Sequence, residues 1–169
     1  SSAELAACRF AEENDFYASA PFSGCMILQT CNRVEILIHG GADALSAYLA
    51  EAGKEGFAVL EGEAALSHLL ELAAGTQSLI VGEDQILGQM KKALSAAEEA
   101  GAADAVISAC VSNAVRFGVS VRQKTAINRG AVSIGSAAVL LAEEELGTLD
   151  GRNILVVGGG ETGRLVAKA

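Results

Sequence analysis

Residues 151–169, GRNILVVGGGETGRLVAKA, place four aliphatic residues in a row, Ile154 to Val157, before three glycines and a segment suited to open a helix. An apolar run followed by a glycine turn predicts a buried strand, a tight turn and a helix, the βα unit of a parallel sheet. Gly158, Gly160 and Gly163 fit G-x-G-x-x-G in this context. Glycine there lets the backbone approach a pyrophosphate, whose charge then sits on the helix N-terminus. An ordinary tight βα turn shares the pattern. The candidate dinucleotide-binding residues are Gly158, Gly159, Gly160, Glu161, Thr162 and Gly163. The side chain about 20 positions further on that separates NAD from NADP falls beyond Ala169, so the expectation is a cofactor domain cut short.

The preceding chain has a different character. Residues 3–18 read as one helix capped by Ser1 or Ser2 and ended by Pro21 and Gly24. CMILQT at 25–30 and VEILIHG at 34–40 read as strands joined by a turn at Cys31-Asn32-Arg33. Residues 42–52 suggest a helix stopped by Gly53, and FAVLEG at 57–62 an edge strand. From Glu63 onward the pattern is helical, with Leu66, Leu69, Leu70 and Ala73 on one face. Further helices follow over 84–100, 103–124 and 133–146, parted near Gly101 and stopped at Gly147. Gly88 and Gly118 lie inside helices, where each weakens the element by up to about 1 kcal/mol, so each suggests close packing or a functional contact.

Composition sets the outer limits. With 51% hydrophobic residues, 19 Gly and one Pro among 169, the chain is neither a disordered segment nor a collagen-like repeat. No apolar run approaches the ~20 residues of a membrane-spanning helix. The N-terminus lacks the pattern of a secretory or transit signal, and both ends read as cut. The net charge is −9, a field that repels polyanions, so a nucleic-acid partner must find a local basic patch. Residues 91–130 hold the candidate, Lys91, Lys92, Arg116, Arg122, Lys124 and Arg129; solvated helix faces are the plainer explanation. Cysteines at 8, 25, 31 and 110 show no CxxC pair and no zinc-finger spacing. A reducing, cytoplasmic setting is the default expectation.

Chemistry concentrates in two places. Cys31 reads either as a buried small hydrophobe or as a nucleophile at a turn, with Arg33 two residues away to lower its pKa or to grip a carboxylate. His68 lies in LSHLLEL, either as a helix-face histidine with a local hydrogen bond or as a functional group. Ser78, Glu83, Asp84, Gln85 and Gln89 cluster around an apolar SLIVG stretch, suiting a polar ligand pocket or a helix N-terminus with acids favoured by the dipole.

TCNRVE at 30–35, HLLELAAGTQSLIVGEDQILGQMKKA at 68–93 and RQKTAINRGAVSIGSAAVLLA at 122–142, followed by GGGETG, resemble glutamyl-tRNA reductase in order and spacing across residues 25–169. Thr76, Met90 and RQKT depart from that family's usual residues. The resemblance implies a fragment: an α+β catalytic N-terminal domain over 1–130 lacking its first strand, a helical spine over 131–150, and the truncated start of a Rossmann-type α/β NADP-binding domain over 151–169. It implies NADPH-dependent reduction of glutamyl-tRNA to glutamate-1-semialdehyde, the first step towards 5-aminolaevulinate and tetrapyrroles. Cys31 would attack the aminoacyl ester to give a thioester. Thr30, Asn32, Arg33, Ser78, Glu83, Asp84, Gln85 and Gln89 would line the glutamate pocket, with Arg33 on the side-chain carboxylate, and His68 would orient or protonate the departing ribose hydroxyl. No metal is expected. Implied partners are glutamyl-tRNA, a second copy of the chain through a C-terminal domain absent here, and glutamate-1-semialdehyde aminomutase as a channelling partner. A thiol-dependent NAD(P) aldehyde dehydrogenase and a non-catalytic module that docks tRNA or a partner each account for part of the same features.

Overall fold

The computed structural model describes residues 2–78, 80–83, 85–128 and 134–169. The segment expected as one N-terminal helix is two, α1 (Ser2–Cys8) and α2 (Glu13–Ser19). The break serves packing: Phe16 is fully buried, and Phe10, in the connection, meets its ring edge-on at 5.2 Å. Strands β1 (Cys25–Gln29) and β2 (Val34–Ile38) form an antiparallel hairpin with Ile27 opposite Ile36 and Leu28 opposite Glu35.

The period of two then sorts the hairpin's side chains. Cys25 and Ile27 point into an aromatic cluster with Phe16 and Tyr48, against which Val34, Ile36 and Ile38 pack. Met26 and Leu28, with Leu37 packed alongside, face a helical core. Being covered on both sides explains why the first strand reads as an unbroken apolar run.

The helices follow as α3 (Ala42–Glu51), α4 (Gly62–Ala74), α5 (Gln85–Glu99), α6 (Ala105–Lys124), α7 (Ile134–Leu146) and α8 (Glu161–Lys168). Asp104 caps α6 by accepting the Ile107 N–H at 2.9 Å, and Arg122 and Lys124 occupy the last turn, where the dipole favours cations. The other oxygen of Asp104 accepts from Nδ1 of His39 at 2.5 Å, tying the end of the hairpin to the start of α6. The backbone N–H of Ile107 and the His39 ring together hold the Asp104 carboxyl below its ordinary pKa. Met26, Leu72, Met90 and Val111 meet in the core where α4, α5 and α6 close over β1.

Several expectations need correction. Residues 57–61 form no strand; Phe57 packs under the aromatic cluster while Val59 and Leu60 are exposed. On α4 the buried residues are Leu69, Leu72, Ala73 and Ala74, and Leu66 faces solvent. Gly118 does mark a close approach, since a Cβ there would strike the Ala73 carbonyl of α4, but Gly88 is exposed with nothing near it. Ile154–Val157 is not paired as a strand, and Leu155 and Val157 are 86% and 90% exposed. A strand needs a neighbour for its backbone groups, and among the described residues none lies alongside. The helix predicted to follow is present as α8 and packs on α7. Ser133, its predecessor's expected first residue, lies outside the described residues.

Candidate active site

Residues 30–33 close the hairpin. The Thr30 N–H bonds the Arg33 carbonyl at 2.9 Å, the Thr30 hydroxyl accepts the Asn32 N–H at 3.3 Å, and Arg9 donates to the Thr30 carbonyl. This turn presents Cys31 and Asn32 to solvent, whereas Cys25 is buried and burial pushes its thiol pKa up. The buried-hydrophobe alternative for Cys31 is therefore excluded.

Arg33 turns back from the loop and is mostly buried. One of its η nitrogens donates to the Gln77 carbonyl, and the other lies 3.4 Å from a carboxylate oxygen of Glu35. The second Glu35 oxygen accepts from Nε2 of His68, on α4, at 3.1 Å. Glu35 thus joins two of the predicted site residues, and the sequence reading did not single it out. The available signal was a charge inside an otherwise apolar VEILI strand. Arg33, Glu35 and His68 sit among the walls of a cavity of about 520 Å³ between β2, the 56–62 segment and α4. Cys31, Thr30, Asn32, Ser78, Glu83, Gln85 and Gln89 are not among its lining residues.

Ser78 lies in the connection after α4, 9% exposed, and its hydroxyl has no hydrogen-bond partner among the described residues. A buried, unsatisfied hydroxyl costs about 1–3 kcal/mol, which makes it a candidate for completion by a ligand. Gln77 is braced by donating to Glu71 at 2.5 Å. Glu83 and Gln85 are half-buried around the start of α5, Gln89 is half-buried one turn on, and Asp84 lies outside the described residues.

The site's rear support is Arg122. From α6 it donates to the carbonyls of Ala73 at 2.7 Å, Gly118 at 2.9 Å and Glu83 at 2.5 Å. It is 9% exposed. Arg122 therefore leaves the supposed basic patch: it satisfies the Ala73 carbonyl in the last turn of α4 and pins the connection into α5 through Glu83. Lys91, Lys92, Arg116 and Lys124 are exposed, and Arg129 lies outside the described residues.

At the glycine turn Gly158 has φ +114°, and a Cβ on Gly163 would strike the Gly158 carbonyl. Only glycine lets α8 approach the chain so closely. Cβ atoms on Gly159 and Gly160 would meet nothing within 4 Å, and Gly160 precedes α8 without a side-chain cap. An uncrowded glycine turn at a helix N-terminus suits a pyrophosphate. Thr162 is exposed in the first turn of α8; the Glu161 side chain lies outside the described residues. Among the described residues no group of three or more His, Cys, Asp or Glu could hold a metal ion, and no helix is long and apolar enough to cross a membrane.

Comparison with known proteins gives the family. The family described as "Glutamyl-tRNAGlu reductase, N-terminal domain" matches residues 4–125. The chain is 62% identical over 163 residues to a glutamyl-tRNA reductase of Methanocorpusculum labreanum, covering 95% of this chain and 38% of that protein. It is 60% identical over 169 residues to one from Methanoculleus marisnigri, covering 99% and 40%. The solved glutamyl-tRNA reductase from Methanopyrus kandleri superimposes with a TM-score of 0.76 at 41% identity, over 99% of this chain and 43% of that one. The chain spans about two fifths of the length of these relatives, and by these matches it belongs to the glutamyl-tRNA reductase family.

Proposed function

We propose that the protein to which these residues belong reduces the glutamyl group of glutamyl-tRNA to glutamate-1-semialdehyde, and that this chain carries the acyl-transfer half of the site. The observation that carries the reading is the Arg33–Gln77 contact. It draws the exposed-cysteine loop against the segment that holds Ser78, which supports reading the two sequence blocks with candidate chemistry as parts of one site.

In this reading Cys31, as thiolate, attacks the aminoacyl ester; the carbon–sulfur bond forms, the carbon–oxygen bond to ribose breaks, and the ribose oxygen takes a proton. His68 supplies that proton. Arg33 receives the glutamyl carboxylate with N–H groups not committed to Glu35 and Gln77. Thr30 and Asn32 shape the loop, and the Ser78 hydroxyl, Glu83, Asp84, Gln85 and Gln89 take the polar atoms of the glutamyl group. Gly158–Gly163 would hold the pyrophosphate of NADPH, whose chemistry when bound would be donation of hydride to the thioester carbonyl. The domain bounds 1–130, 131–150 and 151–169 belong to the same proposal, as do a dimer, hand-over of the aldehyde to an aminomutase and a cytoplasmic setting; family membership is their support.

The test is a quenched reaction of the full-length protein with glutamyl-tRNA, read by mass spectrometry. A glutamyl adduct on Cys31 is expected, absent in Cys31→Ser, which should also lose turnover while remaining folded. A Cys31→Ser enzyme with near wild-type turnover overturns the covalent route.

A further inference from the structure

We infer that Glu35 is a positioning residue for this reaction, one carboxylate oxygen fixing the ring of His68 while the other holds Arg33. The inference rests on the acyl-transfer reading above. Glu35 stands on β2 opposite Leu28, on the face that Met26, Leu28 and Leu37 use to enter the helical core. A carboxylate in such surroundings is costly unless partnered, and its partners are His68 at 3.1 Å and Arg33 at 3.4 Å. One comes from a helix 33 residues further along the chain and the other from the hairpin loop.

The contact has a chemical consequence. An ionised carboxylate only accepts hydrogen bonds, so the ring nitrogen facing it, Nε2, carries the hydrogen. The proton that His68 exchanges is thereby confined to Nδ1, which has no hydrogen-bond partner among the described residues. In acyl transfer the thiol proton of Cys31 passes to Nδ1 and from there to the ribose oxygen as the carbon–oxygen bond breaks. A ring free to swap tautomers would offer that lone pair only part of the time. A strand holds its side chains more rigidly than a loop does, and this suits β2 to the task.

The experiment uses the full-length protein and its Glu35→Gln and Glu35→Asp variants. Single-turnover formation of the Cys31 adduct is followed alongside thermal unfolding and the ¹⁵N spectrum of labelled histidines, with His68→Asn assigning the ring. The Gln amide can face the ring with either donor or acceptor. Glu35→Gln should therefore slow adduct formation on the order of 10²-fold, leave the unfolding midpoint within a few degrees, and turn one tautomer into a mixture. Glu35→Asp, still a carboxylate, should recover part of the rate. Wild-type acylation by Glu35→Gln would overturn the proposal, as would equal losses of rate and stability in both variants. Should the wild-type protein form no adduct, the acyl-transfer reading falls, and the spectrum still decides on Glu35. A ring already mixed in the wild type refutes its role, and a single Nε2–H tautomer lost in Glu35→Gln sustains it.

Discussion

Arg33 donates a hydrogen bond to the backbone carbonyl of Gln77, 44 residues away, and so fastens the hairpin loop to the connection between α4 and α5. The guanidinium does this with one edge while Glu35 takes part of another. Lysine offers a single ammonium in place of this planar fork and cannot hold both contacts and a carboxylate. In the full-length enzyme Arg33→Lys should lower kcat/KM for glutamyl-tRNA at least about tenfold, consistent with losing a charge-assisted contact. Glutaminyl-tRNA, which lacks the carboxylate, should discriminate less between the two proteins. Equal kinetics would place Arg33 outside the pocket.

The four thiols should separate in an alkylation time course at neutral pH. Cys31 is exposed, Cys8 and Cys110 are half-buried, and Cys25 is buried with its thiol pKa pushed up by that burial. Cys8 also donates to the Glu55 carbonyl at 3.0 Å. Since the thiolate is the reactive form, iodoacetamide should mark Cys31 first and Cys25 last by peptide mass spectrometry. Early labelling of Cys25 would mean that the hairpin opens readily.

Alkaline stability should report on Tyr17. Burial pushes its pKa up to about 12, the largest cause, although its oxygen accepts the Ile27 N–H at 3.3 Å, which works in the opposite direction. The unfolded phenol ionises near pH 10. The folded state therefore holds the proton more tightly, so this contribution is complete below about pH 10 and is lost as pH rises towards 12. Denaturant midpoints across that window should fall for the wild type and fall less for Tyr17→Phe. Parallel curves would remove Tyr17 as the cause.

Two helix-interior glycines should respond oppositely to alanine. Gly88 is exposed with open space around it, so Gly88→Ala should stabilise by up to about 1 kcal/mol. A methyl on Gly118 would meet the Ala73 carbonyl and the Leu87 side chain, so Gly118→Ala should destabilise by about 1–3 kcal/mol as α6 is forced from α4. Urea unfolding of both variants checks the pair.

The two glycines also show where sequence reading stops. Both sit in helical patterns and carry the same propensity cost, and nothing local distinguishes the one pressed against a neighbouring backbone from the one facing water. The same holds for Arg122: along the chain it is one more cation in a basic stretch. Only the arrival of α4 and the connection into α5 adds the carbonyls of Ala73 and Glu83 to that of Gly118 on its own helix.

Local rules did determine much by themselves. The apolar run at 25–28, the turn at Cys31-Asn32-Arg33 and the stops at Gly53 and Gly147 depend on backbone preferences within a few residues. They appear in the structure close to where the sequence puts them. The family blocks likewise singled out Cys31, Arg33 and His68 before any fold was known. Tertiary structure alone decided that 57–61 would remain outside the sheet, because a strand exists only with a neighbour to bond; among the described residues Ile154–Val157 likewise has none alongside. It also decided that Glu35 would join Arg33 to His68. That relation requires the hairpin register to turn Glu35 towards α4, and such a register is set by which face of the sheet the core buries.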